Sequence, residues 1–182
     1  NLSEQEVISP QNYAKGASDS DAALGMLYDY IMQREKPTVL LWDGDHLPTL
    51  GDNFTPYTST GTIHADKAAE WTDEEKYTMF CTPYVMFANY DTGNEYRAED
   101  QKVSPYLLPA LLCDYINAPA CLQTNFLLHV YETCPVMSPY YNLYTPGTTA
   151  EEREEIQKLH RYLTYDELIG EKYLNKMQGF EF

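Results

Sequence analysis

Asp45 and His46 are the neighbouring side chains in this sequence best suited to hold a metal ion together. They lie in the run Trp42-Asp43-Gly44-Asp45-His46-Leu47-Pro48, directly after the apolar stretch Thr38-Val39-Leu40-Leu41-Trp42. A continuous apolar run of that length reads as a strand buried on both faces. Ligands of open α/β sheets bind in the crevice beyond the carboxyl ends of the strands, and the pair falls there. Adjacent residues in a regular strand point to opposite faces. Past the end of the strand, with Gly44 free to bend through unusual φ/ψ values, both can converge on one point. A carboxylate oxygen beside a neutral imidazole nitrogen suits Zn²⁺ or Mn²⁺ better than Ca²⁺, which prefers an all-oxygen shell.

A pair of ligands does not complete a metal site. A plainer reading has Asp45 capping the turn while His46 bonds a loop carbonyl, and on spacing alone that reading leads. Asp43 reads as a turn residue. The other histidines read as structural: His64 as a solvated residue in a Gly/Thr loop, His129 and His160 as core or boundary residues on apolar helical faces.

The elements that must position the pair follow from hydrophobic periodicity. Leu24, Leu27, Tyr28 and Ile31 mark a helix over residues 18–35, with Ser18, Asp19 and Ser20 as N-cap candidates and Pro37 as its stop. Residues 50–65 read as loop, and Thr72 with Glu75 forms a capping-box pattern opening a short helix toward Phe80. Thr82-Pro83-Tyr84-Val85-Met86-Phe87-Ala88 is a second buried-strand candidate, followed by a polar loop over residues 89–102. Ser104-Pro105 starts a helix whose face is Leu107, Leu108, Leu111, Leu112 and Tyr115. Further helices are expected over residues 122–133 and beyond Thr148 or Thr149, the last with Ile156, Leu159 and Leu163 on one face. Alternating helices and buried strands predict an α/β fold with a mostly parallel sheet covered on both sides. Two convincing strands, with a third around residues 136–141, are few for a complete doubly wound sheet. The 182 residues therefore read as one piece of a larger domain: a lead-in over 1–17, an α/β part over 18–135 and a tyrosine-rich, helical tail over 136–182.

Composition narrows the partners. The net charge of −16, from 28 acidic against 12 basic residues, disfavours nucleic acid, whose phosphates need Lys and Arg. No stretch approaches the roughly 20 apolar residues that span a bilayer, and no signal peptide is visible. The cysteines, Cys81, Cys113, Cys121 and Cys134, form no C-x-x-C pair. Three stand in or beside apolar runs, where a buried free thiol is expected.

Several segments resemble one family in order and spacing. Gly44-Asp45-His46-Leu47-Pro48 with Leu50-Gly51-Asp52 is similar to the "GDHLP-x-LG" segment of lipoteichoic acid synthase-like proteins of the alkaline phosphatase/sulfatase superfamily. Ser20-Asp21-Ala22-Ala23-Leu24-Gly25 looks like the family's preceding helix, and Thr82-Pro83-Tyr84-Val85-Met86-Phe87-Ala88-Asn89-Tyr90 like its "TPF-x-IWANY" strand. Ser104-Pro105-Tyr106-Leu107-Leu108 and Tyr165-Asp166-Glu167-Leu168-Ile169-Gly170 match its tail, so the resemblance covers about residues 18–173. Trp42-Asp43 departs from the aromatic-Tyr pair common there.

The resemblance implies the C-terminal portion of an α/β/α sandwich, mostly parallel with flanking helices. It implies a metal-dependent phosphoglycerol transferase that moves glycerophosphate from phosphatidylglycerol, or a similar anionic substrate, to a cell-envelope polymer. In such enzymes a Thr nucleophile works beside one divalent ion, usually Mn²⁺, with Zn²⁺ or Mg²⁺ as alternatives. Asp45 and His46 match two of its ligands; with them the weight shifts from turn residues to metal ligands. The nucleophilic Thr, a Glu ligand and a substrate-binding His lie upstream in family members; neither Thr38 nor Thr49 stands in the nucleophile motif. The fragment alone is therefore expected to be inactive, with the upstream part of the same catalytic domain as its partner. Location at the extracellular face of a bacterial membrane, with N-terminal membrane helices as anchor, is implied too. The rivals are a sulfatase or other phosphodiester hydrolase of the superfamily, and a non-catalytic domain binding envelope glycan through Tyr140, Tyr141 and Tyr144.

Overall fold

Leu24, Leu27, Tyr28 and Ile31 do lie on a helix, but it begins far earlier than their spacing indicates. In the computed structural model, which describes residues 4–94 and 101–173, α1 runs from Glu4 to Met32 with Pro10 inside it. Ser18, Asp19 and Ser20 are interior helical residues, not caps. Each costs only a few tenths of a kcal/mol relative to Ala, too little to stop a propagating helix, and Asp19 pairs with Lys15 one turn back at 3.3 Å. The helix ends before Pro37, as expected.

The chain falls into two compact units, Asn1–Tyr90 and Asp91–Phe182. In the first, β1 (Val39–Asp43) pairs with β2 (Tyr84–Ala88) in the register Val39↔Ala88 through Asp43↔Tyr84. The pairing is antiparallel, and the mostly parallel sheet is not found among the described residues. An apolar run reveals burial but not strand direction, and these strands are only half-buried rather than enclosed on both faces. Asn89 fastens the pair to α1. Its backbone N–H donates to the Thr38 carbonyl at 3.1 Å and its Oδ1 accepts from Thr38 N–H at 2.8 Å. Its Nδ2 donates to the carbonyls of Ile31, Arg34 and Lys36 at 2.9–3.1 Å. Those carbonyls lie at and just past the helix end, where orphan acceptors need partners.

Between the strands, residues 50–65 are not plain loop: a 3₁₀ turn, Asp52–Phe54, leads into α2 (Thr55–Thr60). Pro56 stands in the first turn of α2, where a missing N–H costs nothing. The segment continues to α3 (Asp73–Phe80), whose capping box of Thr72 and Glu75 is present as expected. It packs around a small core of Ile63, Trp71 and Met79, all under 5% exposed, with Leu47, Phe54 and Tyr57 against it.

In the second unit a 3₁₀ turn, Pro105–Leu107, precedes α4 (Leu108–Tyr115), followed by α5 (Leu122–Thr133). Ser104 stands at the N-cap position of that turn with Pro105 after it, as expected, but its side chain makes no cap bond. Its Oγ donates to the Met137 carbonyl at 3.0 Å and accepts from Met137 N–H at 2.9 Å, satisfying backbone groups that β3 cannot pair itself. The third strand is a two-residue piece, β3 (Val136–Met137), antiparallel to β4 (Asn142–Leu143). α6 (Ala150–Leu168) opens on a capping box of Thr149 with Glu152. Leu107, Phe126, Val130, Cys134, Ile156 and Leu163 form the core. Of the cysteines, all free thiols, only Cys134 is buried, and Cys81 and Cys121 are exposed. The expectation of buried thiols therefore holds at one position; flanking hydrophobicity does not say which side of an element a thiol takes.

Ile156 is 2% exposed at the centre of this core and Tyr162, two turns on, is 62% exposed. Ile156→Ala is expected to cost about 2–5 kcal/mol, and Tyr162→Ala less than about 0.5 kcal/mol, as read from urea denaturation midpoints.

Candidate metal centre

The turn carrying Asp45 and His46 begins where β1 ends, and its shape is set by β2. Gly44 N–H donates to the Pro83 carbonyl at 3.1 Å, extending the ladder by one rung. The Thr82 hydroxyl donates to the Gly44 carbonyl at 2.6 Å. A Cβ on residue 44 would lie 2.9 Å from Thr82 Cβ, closer than such atoms approach. Glycine is thus required here by close approach and not by backbone torsion: Gly44 is absent from the positive-φ residues, which instead cluster at Leu50, Gly51, Asn53 and Phe54. Leu50 and Phe54 carry side chains in the left-handed region, a strained state for bulky residues. The small core holds it: Phe54 stacks edge-on with Trp71 at 5.1 Å between ring centroids, and Tyr57 donates to the Pro48 carbonyl at 2.9 Å.

The two side chains meet. Asp45 Oδ1 accepts from His46 N–H at 2.9 Å, and His46 Nδ1 lies 3.0 Å from the Leu47 carbonyl. These are the turn-capping contacts of the plainer reading, and they leave one atom of each residue over. A carbonyl can only accept, so Nδ1 carries the proton and the lone pair resides on Nε2. Nε2 stands 3.5 Å from Asp45 Oδ2. A tetrahedral ion with bonds of about 2.1 Å holds its ligand atoms about 3.4 Å apart, so the pair fits one ion with little movement. The Leu47 carbonyl then plays the outer-shell part that fixes the tautomer of a ligating histidine. The His46 amide, foremost, holds the Asp45 carboxyl below its ordinary range, which favours its ionised form. Both side chains are open, 87% exposed for Asp45 and 73% for His46. No group of three metal-ligating side chains occurs among the described residues, so further ligands are not supplied by them.

Asp43, at the end of β1, is exposed and joins neither contact. His64 is not simply solvated: its Nδ1 lies 2.8 and 3.0 Å from the Glu75 carboxylate oxygens, across the loop from α3. The sequence held a signal for this, since Glu75 was already fixed as the third residue of a capping box. His129 is half-buried on α5. His160 sits against Tyr106 at 5.0 Å between ring centroids, and burial pushes its pKa down, as befits a core histidine. Of the tyrosine cluster, Tyr144 has its ring face covered by the Arg153 guanidinium at 4.7 Å and its hydroxyl bonded by Gln157, while Tyr140 is 52% exposed.

A helix, an antiparallel strand pair and the turn at the strand's end make up the fold that positions Asp45 and His46. That fold is seen in the solved structure of Streptococcus pyogenes phosphoglycerol transferase GacH in complex with sn-glycerol-1-phosphate. It aligns with a TM-score of 0.69 at 22% identity, over 97% of this chain and 39% of that one. A curated protein of Rhizobium meliloti (strain 1021), provisionally named a cyclic β-1,2-glucan modification protein, is 27% identical over 168 residues, 88% of this chain. The chain spans 25% of that relative's length and 39% of the GacH chain. No protein-family model matches.

Thr82→Val keeps the shape against Gly44 but leaves its carbonyl without a donor, and is expected to cost about 1 kcal/mol in urea denaturation. Glu75 gives a pH test. The Thr72 amide, foremost, and His64 draw its carboxyl from 4.5 down to about 2, against the opposing effect of burial. Its contribution is complete above the unfolded value and fades as pH falls from about 4.5 toward 2. Stability measured across that window should fall more shallowly in Glu75→Gln than in wild type.

Proposed function

We propose that this chain is part of a metal-dependent, sulfatase-like phosphoglycerol transferase in which Asp45 and His46 supply two ligands of one divalent ion, Mn²⁺ first and Zn²⁺ or Mg²⁺ otherwise. The observation that carries the reading is the 3.5 Å approach of His46 Nε2 to Asp45 Oδ2 beyond β1. The fold shared with GacH gives that geometry its context. Such an ion polarises phosphoryl oxygens and an attacking hydroxyl.

The chain's own residues do the positioning. Thr82 and Gly44 set the turn, the His46 amide keeps Asp45 ionised, and the Leu47 carbonyl selects the tautomer with its lone pair on Nε2. The nucleophilic Thr and the remaining ligands belong, on this reading, to the upstream part of the catalytic domain. GacH was solved with sn-glycerol-1-phosphate, which supports an anionic glycerophosphate donor such as phosphatidylglycerol. The donor's lipid nature would place the whole enzyme at the outer membrane surface, anchored by other segments; no described helix of this chain is long and apolar enough to cross a membrane.

The acceptor admits a second reading. The name of the Rhizobium relative favours an envelope glucan over a glycerophosphate polymer. Both acceptors present free hydroxyls, and nothing in the turn selects between them.

In the longer protein, Asp45→Ala and His46→Ala should each lower glycerophosphate transfer from phosphatidylglycerol about 100-fold or more, and weaken Mn²⁺ binding by calorimetry. Far-UV circular dichroism should not change, because both side chains are exposed. Wild-type transfer by Asp45→Ala would overturn the ligand assignment. Radiolabelled glycerol appearing in added cyclic β-1,2-glucan, and not in a glycerophosphate polymer, would decide for the glucan acceptor. Sulfate-ester hydrolysis in place of transfer would move the protein to the sulfatase alternative.

A further inference from the structure

Apart from Asp45 and His46, the first unit holds a second imidazole–carboxylate pair. Glu75 Oε1 accepts from the His64 backbone N–H at 2.6 Å, and the carboxylate oxygens lie 2.8 and 3.0 Å from His64 Nδ1. An ionised carboxylate only accepts, so Nδ1 carries the proton and neutral His64 keeps its lone pair on Nε2. The carboxylate side of the pair is fixed, because Glu75 also accepts from Thr72 N–H at 2.8 Å and its side chain is 15% exposed. The imidazole is 57% exposed. Ile63 and Trp71, next to His64 and Thr72 in the chain, are 1% and 3% exposed and anchor both sides of the pair in the small core.

His64 opens onto a surface depression of about 610 Å³ that it shares with Thr62, Thr72, Thr78, Glu74 and Glu75. The chemistry of that lining is selective. It contains two carboxylates and neither Lys nor Arg, so an anionic ligand meets repulsion. It contains no aromatic ring beyond the imidazole, so flat apolar ligands gain nothing from stacking. A divalent cation finds the best carboxylate occupied, because both Glu75 oxygens already accept from His64 and Thr72. Hydroxyls, carboxylates and one imidazole lone pair are complementary to a ligand that is itself a set of hydroxyls, donating to His64 and Glu74 and bonding with the threonines.

We propose that His64, oriented by Glu75 and flanked by Thr62 and Thr78, forms a binding site for a neutral polyhydroxylated ligand, a polyol or a sugar, with Nε2 accepting one of its hydroxyl hydrogens. The site stands independently of the metal reading, and either can fail without the other.

The test is a titration of the longer protein, uniformly labelled with nitrogen-15 and carbon-13, followed by NMR. Glycerol and a linear glucose oligosaccharide are the neutral probes, and inorganic phosphate is the anionic one. Saturable shifts of the His64 ring and the Thr78 amide are expected with a neutral probe, and which of the two saturates first separates polyol from sugar. His64→Phe keeps a flat ring but has no nitrogen lone pair to accept a hydroxyl hydrogen, and should weaken binding about tenfold. Unchanged amide shifts elsewhere will show that it is folded. Absence of saturation by either neutral probe well above the millimolar range would overturn the proposal. So would preferential saturation by phosphate, or wild-type affinity in a folded His64→Phe.

Discussion

The antiparallel register of β1 with β2 is the constraint on which the rest of the first unit depends. It places Gly44 opposite Pro83 and brings Thr82 against the Gly44 backbone. At the other end it brings Asn89 to Thr38 and to the carbonyls that close α1. A slip of one residue would reverse the face of every side chain in the strand and break both clamps together. A strand pair alone is marginal in water, so these end contacts matter more here than they would in a broad sheet. Gly44 and Asn89 are thereby paired in function: one admits a close approach, the other supplies donors where the chain has none.

In the turn beyond β1, Asp45 and His46 combine capping contacts with the ligand roles proposed for them. Asp45 and His46 each spend one polar atom on the backbone and keep another. The contacts that cap the turn are those that fix the free atoms 3.5 Å apart and set the imidazole tautomer. An exposed contact of this kind adds little to stability. The left-handed backbone at Leu50 and Phe54 immediately downstream is held by the small core, since states of that kind persist only where the surroundings enforce them.

The acidic charge of the chain is partly used in the same economical manner. Glu75 and Glu152 close capping boxes at the starts of α3 and α6, where negative charge complements exposed amides. Most of the remaining carboxylates face water. A net charge of −16 opposes an anionic donor at long range, and a bound divalent cation would reverse that field locally.

Local patterns were legible wherever the deciding contacts lie within a few residues. The capping box of Thr72 with Glu75, the opening of α6 at Thr149, and the apolar face carrying Ile156 and Leu163 all follow from spacings of three to four residues. Asp45 and His46 could be singled out because their types and their place after an apolar run are local properties. The start of α1, the direction of β2 and the reason for Gly44 were not legible. Helix propensities at Ser18, Asp19 and Ser20 are too weak to mark an end, and an apolar run carries no sign of strand polarity. Gly44 is explained only by Thr82, 38 residues away in the chain. His64 and Glu75 likewise sit 11 residues apart and read separately as loop and cap. The sequence by itself determined which residues can cap, pack and ligate, because those are properties of side chains and short spacings. Tertiary structure alone decided which of them meet, because that depends on how a folded loop closes against a strand.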